Sequence, residues 1–179
     1  MAASEPTVEV LFSSGDISTR NTALAEEISK DMGSDILVIA VLKGSFVFAA
    51  DLIRALHYAG VRPQIDFMAL SSYGDKTISS GTVVITRDIV DTVKGRKVLL
   101  IDDILESGRT MEFAANELLE RGAAQVKTCL MLDKKEKRIV DFEADFVGFD
   151  CPDLFVIGYG LDYAHYYREL PYIGHIVDK

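Results

Sequence analysis

The sequence predicts an α/β fold in which a central, mostly parallel twisted sheet is flanked by helices. Residues 36–42 are a continuous apolar run rich in branched side chains, which is typical of a strand buried on both faces, and the mostly apolar residues 126–132 predict a further buried strand. Residues 46–58 follow the first run with the apolar spacing of a helix. A third apolar run, residues 98–101, ends in two acids and a small polar loop, and open α/β sheets bind their ligands at such strand ends.

Length, composition and charge limit the class of protein. The 179 residues predict one domain, 1–179, large enough to bury a substantial core. A content of 49% hydrophobic and 26% charged residues is that of an ordinary globular protein. The net charge of −9 disfavours nucleic acid or an anionic membrane as a partner, because either needs a basic surface. A polyanionic substrate must therefore be met by a local site or by Mg²⁺.

The cysteines and the longest apolar runs indicate where in the cell the protein is expected, whereas the histidines form no ligand cluster. Cys129 and Cys151 have the spacing of neither a zinc site nor a disulfide framework, and their apolar neighbours predict buried, reduced thiols. The three histidines are scattered, and we assign them no role. No basic start followed by an apolar core marks a signal peptide, and no run approaches the roughly 20 apolar residues of a spanning helix. The expected location is the cytoplasm.

The remaining elements are predicted in chain order. Residues 8–12 form a strand, and Asp16 is the expected cap of a helix that stops at Gly33. Residues 64–72 and 82–86 are the two strands of a hairpin. A helix follows the central acidic motif, because its apolar residues recur at helical spacing. The last three strands are expected at residues 145–149, 155–159 and 172–177.

The stretch of residues 98–111 carries the chemistry around which the chain is organised. Backbone N–H groups in a tight loop at a helix N-terminus bind phosphate, and Gly108 lets the backbone approach a ligand closely. Asp102 and Asp103 would repel a phosphate but suit sugar hydroxyls or a hard cation such as Mg²⁺. Taken alone, an acid pair after a strand is also typical of a solvated turn. The whole stretch predicts a ligand with a phosphate at one end and a diol at the other, such as a ribose 5-phosphate.

Residues 98–111 resemble the phosphoribosyl pyrophosphate (PRPP) signature of the type I phosphoribosyltransferases: a hydrophobic strand, two acids, two apolar residues, an acid, then Thr/Ser-Gly-x-Thr. Other segments resemble the hypoxanthine-guanine branch of that family, and together they cover nearly the whole chain. The resemblance implies the family's sheet, with a small hood built from about the first 30 and the last 25 residues. The PRPP-binding residues that it implies here are Asp102, Asp103, Ile104, Leu105, Glu106, Ser107, Gly108, Arg109 and Thr110.

Residues 42–46, Leu-Lys-Gly-Ser-Phe, resemble the family's pyrophosphate loop. In the family the counterparts of Lys43 and Gly44 offer backbone N–H groups to pyrophosphate, often with a non-proline cis peptide bond before the lysine. From the residues alone, a lysine between a strand and a helix is more often a side chain that reaches solvent. Arg168 matches a family arginine that contacts pyrophosphate, and an exposed arginine without a role is the alternative.

Residues 73–81 form a polar, glycine-bounded loop between the hairpin strands, and most loops of this kind are simple connections. The segment resembles the family's long mobile loop, whose Ser-Tyr pair is matched by Ser72 and Tyr73. The resemblance implies a lid that closes over the reacting centre. Such a lid is needed because a sugar cation formed in the open would be captured by water.

The resemblance assigns the purine site to three segments. Lys134 matches a lysine that donates to the purine 6-oxygen, and an ammonium only donates, so it selects 6-oxo over 6-amino bases. Phe155 matches an aromatic residue that stacks on the purine, and Val156 one whose backbone binds the base edge, although periodicity alone allows both to be core. Asp162 matches an acid that binds Mg²⁺ and lies near the purine 2-position. The expected metal-binding residues are Asp162, Asp102 and Asp103.

The resemblance implies transfer of 5-phosphoribosyl from PRPP to hypoxanthine or guanine, with Mg²⁺ as cofactor and IMP or GMP as product. Glu106 stands where the family's general base accepts the proton of purine N7, and the best-known members have the shorter aspartate there. A homo-oligomer, dimer or tetramer, is expected. The alternatives are a transferase of the same fold for xanthine or another base, and an RNA-binding regulator, which the net charge of −9 disfavours.

Overall fold

A computed structural model of the chain describes residues 7–73 and 82–177. Helices and strands alternate along most of the described chain, as the apolar runs predict. The helices are α1 (Ser14–Met32), α2 (Phe46–Tyr58) and α3 (Arg109–Glu120). The strands are β1 (Val8–Phe12), β2 (Leu37–Leu42), β3 (Gln64–Tyr73), β4 (Thr82–Arg87), β5 (Lys97–Leu105), β6 (Gln125–Asp133), β7 (Phe146–Asp150), β8 (Val156–Ile157) and β9 (Ile173–Ile176).

The main sheet contains six of these strands in the order β4-β3-β2-β5-β6-β7. Neighbouring strands are parallel, except that β3 and β4 form the predicted antiparallel hairpin at one edge. The predicted α/β class with a mostly parallel sheet is therefore confirmed. Because the parallel strands point the same way, the segments that follow β2, β5 and β6 emerge along one edge of the sheet.

A second, three-stranded sheet joins the two ends of the described chain. Its order is β1-β9-β8, and its neighbours are antiparallel. The Ile176 N–H donates to the Phe155 carbonyl, so the last strand fixes the backbone just before β8. The sheet therefore supports the segment that contains the predicted purine-contacting residues.

Helix α1 begins in a capping box centred on Ser13, so the prediction that Asp16 is the cap was wrong. The Asp16 N–H donates to Ser13 Oγ at 3.2 Å, and the Ser13 N–H donates to Asp16 Oδ2 at 3.0 Å. Both residue types favour a helix start, and only the backbone geometry shows which one precedes the first turn. Gly33 ends the helix as predicted, with a φ of +80°.

The core lies on both faces of the main sheet. Val38 and Ala40 of β2 pack in the cluster that contains α1 and α2, whereas Leu37 and Ile39 pack in the cluster that contains α3. Burial on both faces explains why this strand is a continuous apolar run. Both cysteines are buried free thiols, as predicted. No helix within the described residues combines the length and apolarity that crossing a membrane requires.

Strand β5 extends further than its sequence predicts. The prediction ended the strand at Ile101, before the acids, but pairing with β6 continues to Leu105, opposite Asp133. The acid pair therefore belongs to the end of a strand and not to a turn. Its position is set by a ladder of backbone hydrogen bonds, which makes it a rigid part of the candidate site.

Candidate active site

A tight loop connects β5 to α3 and leaves backbone donors free. Gly108 adopts a φ of +86°, which turns the chain into the helix that starts at Arg109. The Glu112 N–H donates to the Gly108 carbonyl at 2.9 Å, whereas the N–H groups of Thr110 and Met111 find no acceptor among the described residues. Together with the acid pair before it, the loop lines a cavity of about 230 Å³. Free donors at a helix N-terminus are suited to a phosphate group.

Asp102 and Asp103 lie side by side and partly buried at the end of β5. Asp102 Oδ1 accepts from the Asp103 N–H at 2.9 Å, and Asp103 Oδ1 accepts from the Ile104 N–H at 2.9 Å. Burial raises the pKa of Asp102 well above its usual value, and the neighbouring Asp103 carboxylate raises it further. Burial also raises the pKa of Asp103, although hydrogen bonds and the Arg168 guanidinium oppose this. A diol or a cation would supply the donors or the positive charge that the pair lacks.

The turn after β2 lies directly against this acid pair. The Leu42–Lys43 peptide bond is cis, the isomer that the resemblance implies, and the Lys43 side chain is exposed. Gly44 approaches the Asp103 carboxylate so closely that a Cβ on Gly44 would lie 1.6 Å from Oδ2. On its other side, a Cβ on Gly160 would lie 2.0 Å from the Gly44 carbonyl oxygen. The turn is thus held between the acid pair and the segment after β8, with no space for a side chain at position 44.

Asp162 and Arg168 form an ion pair in the segment after β8. Arg168 Nη2 lies 2.6 Å from Asp162 Oδ1, and Arg168 Nη1 donates to the Gly160 carbonyl at 2.5 Å. Asp162 Oδ2 also accepts from the His165 N–H at 2.8 Å. The residues matched to a pyrophosphate-binding arginine and a metal-binding acid therefore neutralise each other.

The acids predicted to bind metal do not form one cluster. Within residues 7–73 and 82–177, no group of three or more His, Cys, Asp or Glu side chains is arranged to hold a metal ion. Asp102 and Asp103 lie together, whereas Asp162 is paired with Arg168. Carboxylate oxygens are nevertheless the ligands that Mg²⁺ prefers, and Mg²⁺ is often held by one or two carboxylates plus substrate phosphates. The donors present fit Mg²⁺ that binds together with a pyrophosphate.

Glu106 and Lys134 face each other in a second ion pair. Lys134 Nζ donates to Glu106 Oε1 at 2.8 Å, and the Lys134 backbone N–H donates to the Leu105 carbonyl at 2.9 Å. The Lys134 side chain is only 7% exposed, whereas that of Glu106 is 52% exposed. Unlike the solvated charged residues that follow it, Lys134 therefore points inwards, towards the loop after β5. The structure brings together the residues matched to the general base and to the purine-binding lysine.

Arg138 fastens the same loop, a role that the sequence did not reveal. Its Nε donates to the Glu106 carbonyl at 3.0 Å, and its other nitrogens bind the Phe142 carbonyl and the Asp133 carboxylate. The Ser107 carbonyl accepts two further N–H groups from the segment that follows Arg138. A run of alternating charges predicts a solvated face and contains no signal that distinguishes this arginine from its neighbours.

Phe155 and Tyr163 form an aromatic pair beside this site. Phe155 is 42% exposed, and the Tyr163 ring meets its ring edge to face with centroids 5.6 Å apart. The Val156 side chain belongs to the core, so Val156 could contact a base only through its backbone. Tyr163 was not singled out from the sequence, because a tyrosine in an irregular loop has no characteristic spacing.

The predicted lid lies mostly outside the described residues. The backbone of Ser72 and Tyr73 completes β3 and pairs with Val83 and Thr82 of β4. Residues 74–81, and the side chains of Ser72 and Tyr73, are not among those that the structure describes. The closure of this segment over the site stays a prediction.

Comparisons with known proteins agree with this geometry. A family model described as a phosphoribosyl transferase domain matches residues 9–164. The chain is 44% identical to a hypoxanthine-guanine phosphoribosyltransferase of Aquifex aeolicus, over 96% of each chain. A solved hypoxanthine-guanine phosphoribosyltransferase of Bacillus anthracis is 42% identical, with a TM-score of 0.89 over 97% of this chain and 100% of that one. A solved hypoxanthine phosphoribosyl transferase of Trypanosoma cruzi is 38% identical, with a TM-score of 0.90 over 98% and 94% of the two chains.

Proposed function

The chain belongs to the phosphoribosyltransferase family, and from this premise we propose that it transfers the 5-phosphoribosyl group of PRPP to N9 of hypoxanthine or guanine. The products are IMP or GMP and pyrophosphate, and the reaction is a pentosyl transfer of purine salvage. The Aquifex aeolicus relative, which is 44% identical, is named for activity on both bases. The observation that carries the proposal is the contact between the Lys43–Gly44 turn and the Asp102–Asp103 pair, next to a loop suited to a phosphate.

PRPP would lie along the edge of the main sheet, with each of its parts facing one segment. The loop from Ser107 to Thr110 offers donors for the 5-phosphate, and the acid pair at the end of β5 faces the ribose diol. The backbone of the Lys43–Gly44 turn and the Arg168 guanidinium would meet the pyrophosphate. Breaking the bond at C1 leaves an oxocarbenium-like centre, so fixed donors on the leaving pyrophosphate would supply most of the catalysis.

Mg²⁺ would be held by the carboxylates of Asp102 and Asp103 and by Asp162, and when bound it supplies positive charge to the departing pyrophosphate. We expect Arg168 to leave Asp162 when the metal binds, because the guanidinium charge would repel Mg²⁺. The pyrophosphate provides a new partner for the arginine at the same time. An exchange of partners would therefore keep every charge compensated while the substrate binds.

The purine would lie between the Phe155 ring and the Lys134 ammonium. Lys134 can only donate, which favours a 6-oxygen over a 6-amino group, and its burial strengthens this choice because an unpaired buried donor is costly. Phe155 is partly exposed and would stack on the base, and the Val156 backbone, held beside β9, would offer hydrogen bonds to the base edge. The neighbourhood of Asp162 would contact the purine 2-position.

Glu106 is our candidate for the base that accepts the proton of purine N7. Its carboxylate is half exposed beside Lys134, where a bound purine would present N7 and its 6-oxygen to the two residues. Glu106→Gln should lower kcat about 100-fold or more, because the amide cannot accept the proton, while PRPP binding measured by calorimetry changes little. Unchanged turnover would exclude Glu106 as the base.

Initial rates with PRPP and Mg²⁺ against hypoxanthine, guanine, xanthine and adenine test the function as a whole. Turnover of the first two bases with adenine inert is the expected result. Turnover of xanthine or adenine alone would support the same-fold transferase for another base. If PRPP binds and no base reacts, the proposal fails. Salt-dependent retention on an RNA column would then favour the regulator.

We also infer that the enzyme is a homo-oligomer, dimer or tetramer, that works in the cytoplasm. Phe46 and Tyr58 expose aromatic rings beside a groove of about 730 Å³ lined by α1, α2 and the segment before β9. Such a face would be covered by contact with a second copy. Sedimentation velocity at two concentrations tests this, and a monomer at both would refute it. Cell fractionation tests the location.

A further inference from the structure

We propose that Glu106 is an internal competitor for the purine site: its carboxylate holds Lys134 when the site is empty, and a 6-oxopurine must displace it to bind. The inference rests on the function proposed above. It adds to that function a determinant of purine affinity and selectivity, which is separate from any role of Glu106 as a base.

The Glu106–Lys134 ion pair is anchored by the backbone on both sides. Glu106 Oε1, 2.8 Å from Lys134 Nζ, is the only partner of this ammonium among the described residues. Both ends are anchored, because the Lys134 N–H donates to the Leu105 carbonyl and Arg138 Nε donates to the Glu106 carbonyl. A buried ammonium is costly without a counter-ion. The pair therefore persists until another acceptor reaches Lys134.

The length of the glutamate side chain makes this contact possible. An aspartate at position 106 would be shorter by one carbon–carbon bond, about 1.5 Å. With the backbone fixed by Arg138, the separation of 2.8 Å would grow to about 4 Å, which is beyond hydrogen-bonding distance. Lys134 would then keep all its donors for an incoming base.

The competition between Glu106 and the base discriminates against 6-aminopurines, and it couples purine binding to the release of the Glu106 carboxylate. A carboxylate is a stronger acceptor for an ammonium than a neutral carbonyl oxygen, so the pair weakens the binding of every 6-oxopurine. A 6-amino group cannot accept from Lys134 and so cannot displace the carboxylate, which adds to the discrimination against adenine. Displacement also leaves the Glu106 carboxylate free beside the bound base, so arrival of the purine releases the candidate base for proton transfer.

Calorimetric binding of GMP and of ribose 5-phosphate separates this effect from the rest of the site. GMP reaches Lys134, the acid pair and the phosphate loop, whereas ribose 5-phosphate reaches only the acid pair and the loop. Glu106→Asp should bind GMP about tenfold more tightly than the wild type, with ribose 5-phosphate affinity changed by less than about twofold. Glu106→Gln, which keeps the length and loses the charge, should shift GMP affinity in the same direction by a smaller factor. Glu136→Asp, the same change at an exposed position, is the matched control and should leave both affinities unchanged.

A double-mutant cycle identifies the cause. In a Lys134→Gln background, Glu106→Asp should give no gain in GMP affinity, because the competition has been removed. An equal gain in that background, or no gain from either Glu106 variant in the wild-type background, would overturn the inference. Failure of the proposed function itself would be recognised separately, as a wild-type enzyme that turns over neither hypoxanthine nor guanine.

Discussion

Replacement of Gly44 by alanine tests whether the turn after β2 has to lie against the acid pair. The new Cβ would be 1.6 Å from Asp103 Oδ2 and 2.5 Å from its Cγ, whereas carbon atoms in contact are normally about 3.5 Å or more from their neighbours. The carboxylate is not free to rotate away, because its Oδ1 accepts from the Ile104 N–H at 2.9 Å. The turn and the acid pair must therefore separate by about 2 Å.

This separation moves the donors that we propose for the pyrophosphate away from the acid pair that we propose for the ribose. Because a misplacement of about 1 Å can cost about 100-fold in rate, we expect Gly44→Ala to lower kcat/KM for PRPP by at least about 100-fold. That loss corresponds to about 2.7 kcal/mol of transition-state stabilisation. The assay is the initial rate at saturating hypoxanthine with PRPP varied, together with thermal unfolding to verify that the variant is folded.

Gly15→Ala is the matched control for this substitution. A Cβ at position 15 would have Ser13 Oγ at 3.7 Å as its nearest neighbour, an ordinary contact, and Gly15 lies in α1 away from the site. The control should keep the wild-type kcat/KM. A folded Gly44→Ala enzyme with wild-type kcat/KM would refute the steric reasoning.

Three further substitutions test other parts of the structure. Asp66→Ala should lower the free energy of unfolding in urea by about 1–3 kcal/mol, because the carboxylate accepts three backbone N–H groups. Burial acts to raise the pKa of Asp66, but these hydrogen bonds and Arg87 outweigh it and hold the pKa below its usual 3.8. The contribution of Asp66 to the free energy of unfolding is therefore complete above pH 3.8 and is lost as pH falls through the lower folded-state pKa. Asp102→Asn should instead raise stability at neutral pH while weakening ribose binding, because burial raises the pKa of this carboxyl. As pH rises from 3.8 through the raised pKa, the free energy of unfolding of the wild type should fall, and that of the variant should fall less. If urea unfolding at pH 5 and at pH 8 shows the same loss of unfolding free energy in both proteins, this reasoning is wrong. Arg138→Ala should weaken calorimetric binding of ribose 5-phosphate about tenfold, since the loop loses its anchor, and Arg138→Lys should restore only part of it, because one ammonium cannot replace three separate contacts.

Local patterns predicted the elements well wherever one physical property decides the structure. The apolar run of β2 is buried on both faces, and Gly33 stops α1 at a positive φ that glycine tolerates. The prediction failed at β5, where pairing with β6 carries the strand through two acids to Leu105. Charged residues suggest the end of a strand, but hydrogen bonds with a neighbouring strand can extend it, and that neighbour lies about 30 residues away in the sequence.

The sequence by itself determined the α/β class, the tight glycine-containing loop between β5 and α3, and the residue types that we propose for binding a sugar, a pyrophosphate and a purine. These follow from periodicity and from motifs of a few adjacent residues, which are local properties of the chain. Only the tertiary structure decided that Gly44 lies against Asp103, that Arg168 is held by Asp162, and that Glu106 reaches Lys134. The first and third of these contacts join segments far apart in the sequence. Their distances depend on strand order, register and the length of single side chains, none of which local spacing encodes.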